Sequence, residues 1–202
     1  MSRAWPNARR WEEACPGNVA GKARALTAIG PMTGGWKLWG LRLAFWARRR
    51  VGWFRRSRVK KLRQLSFIYY ARWALIDGLP GGEGGTGTEL DPPYLYFESN
   101  FNGGFEEYID AFAYVIRFEM KVIFGGVRGF AGPTPATPFK RFIRGHDYEC
   151  EHYFCAYPEA TSTDIAQAVS VRDAFKQLSR DAEPEAFARS WRDFLTKAQA
   201  WL

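Results

Sequence analysis

Between Glu13 and Asp77 the chain has no aspartate or glutamate at all. Residues 1–76 hold seventeen Lys or Arg against two acids, whereas residues 77–202 hold twelve against nineteen. The net charge of +8 therefore hides a strongly cationic first part joined to a mildly acidic remainder. Such a split points to a polyanionic partner, either a lipid headgroup layer or a nucleic acid. Histidine is scarce, with only His146 and His152. The run Cys150-Glu151-His152 lacks standard metal-ligand spacing, and Cys155 lies too far on to complete it, so structural or surface histidines and no metal site are expected. The three cysteines, an odd number, show no CxxC pair and argue for a reducing compartment. The opening MSRAWPNARRWEEACPG has charge but no apolar core, so it does not read as a signal peptide. No run reaches the roughly 18 apolar residues that a spanning helix needs. Other absences remove reaction classes. There is no HExxH and no serine-centred elbow. The segment GGEGGTGT has neither the Lys-Ser/Thr of a phosphate loop nor a helix to open, and reads as a flexible loop.

What is present in excess is tryptophan and arginine. The stretch WKLWGLRLAFWARRRVGWFRRSRVKKLRQL, from Trp36 to Leu65, contains eleven Lys or Arg. At about 100° per residue, Trp36, Trp39, Trp46 and Trp53 share one helical sector with Leu43, and Arg42, Arg49 and Arg56 line its flank. The spacing predicts a basic, Trp-rich amphipathic helix over 36–63, preceded by a loosely ordered basic lead-in over 1–35 that includes a short helix around Val19–Thr27. An α+β domain follows over 64–202.

Within that domain, QLSFIYYARWALID is rich in aromatic and β-branched residues and ends at a Gly/Pro cluster, which is a strand signature. The stretch YLYFESNFN is a second strand, and the two pair as an antiparallel hairpin across a long connection over 78–93. Residues 105–124 have helical spacing. Thr137-Pro138 starts a short helix. Tyr148–Tyr157 reads as a third strand. Thr161 or Ser162, with Asp164 in the first turn, caps the next helix, and Pro184 starts the last. The expected class is α+β, a small antiparallel sheet of three or four strands packed with helices. A fourth strand is sought in 121–136, or a second subunit completes the sheet as a homodimer.

The strings LSFIYYARWALI, YLYFESNFNGGFEEYIDAF, TPFKRFIRGH and YFCAYPEAT resemble a group of bacterial proteins of unassigned activity that share the patterns FIHFARW, FESNFNG, YIDAF, PFKxYIR and YxAYP. The resemblance covers roughly residues 64–178, and Tyr69 stands where that group has histidine. The arrangement is similar to the ferredoxin-like units of the dimeric α/β barrel superfamily, some of whose members bind haem while others carry out cofactor-free oxygenation. The resemblance thus implies a ferredoxin-like sheet and, as one alternative function, a small oxidoreductase or monooxygenase, with His146 or His152 as the axial candidate if haem is bound. It assigns no cofactor.

Three surfaces are candidates. The first is the Trp/Arg segment, with Trp36, Trp39, Trp46, Trp53, Arg42, Arg49 and Arg56. It would lay indoles at headgroup depth and pair arginines with lipid phosphates. The same residues would serve as a nucleic-acid arm or as a helix packed on its own domain. The second is the polar side of the hairpin, where Arg72, Glu98 and Asn100, with His152, would border a ligand pocket; its alternative is a satisfied ion pair. The third is the C-terminal aromatic face of Trp191, Phe194 and Trp201, a contact for a protein partner. Together these make the leading expectation a peripheral protein at the inner face of the membrane.

Overall fold

The computed structural model describes residues 16–50, 65–82, 85–178 and 183–200. Four strands form one antiparallel sheet: β1 (Val19–Ala20), β2 (Ala23–Pro31), β3 (Ile68–Leu79) and β4 (Thr88–Asn102), in the spatial order β1-β2-β4-β3. Six α-helices are described: α1 (Gly35–Arg50), α2 (Phe105–Val115), α3 (Arg117–Phe124), α4 (Ala136–His146), α5 (Ser162–Lys176) and α6 (Pro184–Ala198). The class is α+β, as expected. Strands β2 and β3 run in the same direction on either side of the antiparallel β4, and α1 connects them. That arrangement is compatible with a ferredoxin-like sheet.

Side-chain alternation in β4 divides the molecule. Leu95, Phe97, Ser99 and Phe101 turn to one face and are buried, while Tyr94, Tyr96, Glu98, Asn100 and Asn102 turn to the other and are half-buried. Register carries the division across the sheet. Ala28, Phe97 and Trp73 stand in one row on the buried side, and Thr27, Glu98 and Arg72 in one row on the polar side. Helices α2, α3 and α4 close the buried side with Tyr108, Ile109, Phe112, Met120, Phe124, Phe139 and Ile143. Helix α1 adds Leu41, flanked by Leu38 and Phe45. The Phe97 ring lies 5.6 Å from that of Trp73, 6.2 Å from Phe112 and 5.5 Å from Phe124. Burial of each such side chain contributes roughly 1.5–3 kcal/mol.

Several expected elements differ. Residues 1–15 of the expected lead-in lie outside the described residues; from residue 16 on it is ordered and holds no helix around Val19–Thr27. It forms β1 and β2, and β2 pairs with β4 from Ala23–Asn102 to Pro31–Tyr94. The third strand expected at Tyr148–Tyr157 is irregular. Asp147 forms one bridge to Ala28, and Tyr148 N–H donates to Thr27 O, on the edge of β2 that β1 also occupies. The segment after it is held by single hydrogen bonds instead: Asn18 Nδ2 to Tyr148 O, Cys150 N–H to Asn18 Oδ1, and Lys22 N–H to Pro158 O. The fourth strand sought in 121–136 is largely helix α3 and a turn, where Val127 bridges Met32. The helix expected over 105–124 breaks at Ile116, whose φ of −122° and ψ of 34° are not helical. The connection expected over 78–93 is shorter, because Gly78 and Leu79 pair with Glu89 and Thr88.

The helices after the sheet follow their sequence signals. Thr161 caps α5 in a reciprocal box, its hydroxyl accepting from Asp164 N–H and the Asp164 carboxylate accepting from Thr161 N–H. Asn102 fastens the start of α5 to the sheet: its Oδ1 accepts from Ser162 N–H at 2.8 Å and its Nδ2 donates to the Tyr69 hydroxyl at 2.6 Å. The chain then turns at Gly103, whose φ of +89° suits glycine alone.

Candidate functional site

The polar face of the sheet is built around Glu98. Its strand places it opposite Arg72 of β3, and the Arg72 Nε donates to Glu98 Oε2 at 2.7 Å. Tyr70, two residues earlier on the same face of β3, donates its hydroxyl to Glu98 Oε1 at 2.6 Å, and Tyr96 donates to Oε2. Arg72 also donates to the Tyr96 hydroxyl at 3.2 Å, with its guanidinium carbon 5.4 Å from the centre of the Tyr96 ring. One carboxylate thus receives three charge-assisted donors. The Glu98 side chain is 17% exposed and that of Arg72 66%, so the carboxylate sits under a guanidinium that faces water.

The electrostatics follow from that geometry. Burial works to raise the Glu98 carboxyl, but the hydrogen bonds from Tyr70, Tyr96 and Arg72, with the Arg72 charge, outweigh it and hold it below the ordinary carboxylate range. The Tyr70 phenol is pushed up to about 12 by burial and by its bond to Glu98. Tyr96 is raised for the same two reasons. Both phenols are therefore donors at neutral pH. The cluster is an array of two hydroxyls and one guanidinium whose hydrogen bonds converge on one carboxylate.

Arg72 and Glu98 of the expected pocket meet directly. Asn100 lies on the same face, opposite Tyr70 and Ala25. Its Oδ1 is buried with no hydrogen-bond partner among the described residues. His152 is exposed on the irregular segment and, among the described residues, makes no hydrogen bond to the other three. On that segment the Tyr153 phenol is pushed up to about 12, by burial first and then by its neighbours Cys155, Tyr69, Cys150 and, least, Glu98. Tyr70 and Tyr96 could be found from strand alternation, which puts both on the Glu98 face. No sequence signal singles out Tyr153. His146 packs elsewhere, its Nδ1 2.7 Å from Phe142 O and its ring 4.4 Å from that of Phe142. Among the described residues no group of three or more His, Cys, Asp or Glu is placed to hold a metal ion.

On the opposite side of the molecule, α1 presents a second surface. Leu38, Leu41 and Phe45 face the core. Trp36, Trp39, Leu43 and Trp46 are 80%, 76%, 59% and 58% exposed. The helix is therefore apolar on two sides, and its indoles are not the side that packs on the domain. Arg42 pairs with Asp77 at 2.8 Å. Trp53, Arg56 and the Arg49 side chain lie outside the described residues, as does Trp201. The Trp191 and Phe194 rings lie 5.3 Å apart at a tilt of 34°, and both meet Phe175 across the α5–α6 hairpin. A groove of about 530 Å³ between those helices is lined by α5 from Asp164 to Phe175 and by Phe194. Among the described residues no helix is long and apolar enough to cross a membrane. No protein-family model matches the chain, and no curated protein or solved structure is similar to it.

Proposed function

We propose that the protein is a peripheral membrane protein that attaches to an anionic lipid surface through α1 and offers the polar face of its sheet to a ligand or partner on the other side. The observation that carries this reading is the outward stripe Trp36, Trp39, Leu43 and Trp46. A single exposed apolar residue needs no explanation, but a contiguous stripe of three indoles and a leucine does. Indoles suit headgroup depth, where the ring is partly apolar and its N–H stays wet. The surroundings agree in charge, since no acid occurs between Glu13 and Asp77 while Lys37 and Arg50 are exposed on the same helix. Each such cation near an anionic surface contributes on the order of 1 kcal/mol.

The test is co-sedimentation of the full chain with phosphatidylglycerol vesicles and with phosphatidylcholine vesicles. The wild type should pellet with the anionic set and persist there in part at high salt, because indole insertion survives screening. Changing Trp36, Trp39 and Trp46 together to Ala should release it. A triple variant that pellets like the wild type overturns the reading.

A second reading is favoured by one observation, the partnerless buried Asn100 Oδ1 beside the Glu98 cluster. It makes the sheet face a small-molecule site, and a cofactor-free oxygenase or other small oxidoreductase is then the rival function. Thermal stabilisation of the wild type, but not of a Glu98→Gln variant, by members of a polar metabolite panel would favour it.

A further inference from the structure

Resting on the attachment reading above, we infer that α1 does not meet the lipid surface alone: α2 and α3 supply a second contact centred on Tyr114, Val115 and Val122, so that the outer side of the helix layer is the membrane-facing side. The three helices pack on the same face of the sheet, since Leu41 of α1 shares one core cluster with Ile109, Phe112, Met120 and Phe124. Helices α1 and α3 also touch directly. The turn leaving α3 runs against the start of α1: a Cβ placed on Gly126 would lie 2.5 Å from Met32 Cε and 3.6 Å from Lys37 Cβ. The sides turned away from the sheet therefore belong to one layer.

That outer side is apolar where a water-facing helix is ordinarily polar. The buried set of α2 and α3 is Tyr108, Ile109, Phe112, Ala113, Met120, Ile123 and Phe124. Against it, Tyr114 is 67%, Val115 41% and Val122 36% exposed. Around them stand the exposed cations Arg117, Lys121 and Arg128. Two of the acids on α2 are engaged with α4: Glu106 and Asp110 bind Lys140 at 2.9 Å and 2.8 Å, and Glu106 also binds Arg144 at 2.8 Å, while Glu107 is exposed. With α1 beside it, the layer offers indoles, a phenol and valines, with Arg117, Lys121 and Arg128 outnumbering the acids Glu107 and Glu119. That chemistry matches anionic headgroups over an acyl boundary. An acidic protein would match the cations but leave the apolar groups without a counterpart.

The experiment measures partitioning of the full chain onto vesicles of equal parts phosphatidylglycerol and phosphatidylcholine, with polyglutamate and a single-stranded RNA as competitors. Tyr114→Glu and Val122→Glu should each weaken partitioning about tenfold, because a carboxylate enters the contact and apolar area leaves it. The pair Arg117→Gln and Lys121→Gln, both at exposed positions, should weaken it several-fold and more so at low salt. If all these variants partition like the wild type while the Trp36/Trp39/Trp46→Ala variant is lost from vesicles, α1 acts alone; the inference is overturned and the attachment reading stands. If the wild type itself stays in solution, or leaves the vesicles for polyglutamate or RNA, both fall.

Discussion

Arg72 and Glu98 stand directly opposite each other in the β3–β4 ladder, and the same carboxylate that meets the guanidinium also accepts from the hydroxyls of Tyr70 and Tyr96. The partners are unequal. Arg72 is largely in water, so its ion pair is screened and adds little to stability. Glu98 is the common acceptor, and its loss strands two phenols. Arg72→Gln should therefore cost little and Glu98→Leu clearly more, about 2 kcal/mol, read from urea unfolding. A double-mutant cycle between Glu98 and Tyr70 should show coupling; independent effects would mean that the cluster is not a unit.

Acid should weaken the fold through the same residue. The folded-state carboxyls of Glu98 and Glu106 lie below their ordinary value, the latter through its bond to Lys140. Their contributions are present above the unfolded carboxylate range and are lost as pH falls through the folded values. The thermal midpoint should drop on that limb, and Glu98→Gln should flatten it. An acid limb identical in the two proteins would count against the depressed carboxyl.

At the other end, Tyr70 and Tyr153 are held up to about 12. A phenol raised in the fold stabilises fully below its unfolded value and loses that contribution as pH rises through the folded one. Phenolate absorbance should show a late-titrating fraction that vanishes only on unfolding. Tyr70→Phe should remove part of it.

Two backbone positions give sharper tests. Thr161→Ala removes the hydroxyl of the α5 cap and should cost about 1 kcal/mol by denaturant unfolding. Gly30→Ala puts a methyl 2.4 Å from Val127 Cγ1 and 2.9 Å from the His146 ring, and should cost about 1–3 kcal/mol. A neutral result at Gly30 would mean that α4 and the Val127 turn sit further from β2.

The elements legible in the sequence are those whose signals are local. Strands β3 and β4 carry aromatic alternation, α5 its capping box and α6 its proline. Strand β2 was not legible, because ARALTAIG has few aromatic or β-branched side chains. It is a strand through its ladder to β4, some 60–80 residues away, and no short window holds that information. Tyr148–Tyr157 fails for the opposite reason. Its local pattern favours a strand, but the edge of β2 it would join is shared with β1, and the segment is tied down by Asn18 and Pro158 instead. Of the candidate site, the Arg72–Glu98 meeting needs only alternation and register. The approach of Tyr153 depends on the irregular path that the local pattern conceals.

In β4 neighbouring residues have opposite duties: Phe97 fills the core and Glu98 anchors the polar cluster. Such a strand forgives many substitutions and no change of length. One inserted residue between Tyr94 and Phe97, with the pairing before it kept and the rest slipped by one, would send a carboxylate into the hydrocarbon interior and a phenyl ring into water. The described tip residues, 80–82 and 85–87, sit outside the ladder, and an insertion there comes at slight entropic cost. Insertions and deletions should therefore be tolerated at the tip and excluded from the strand.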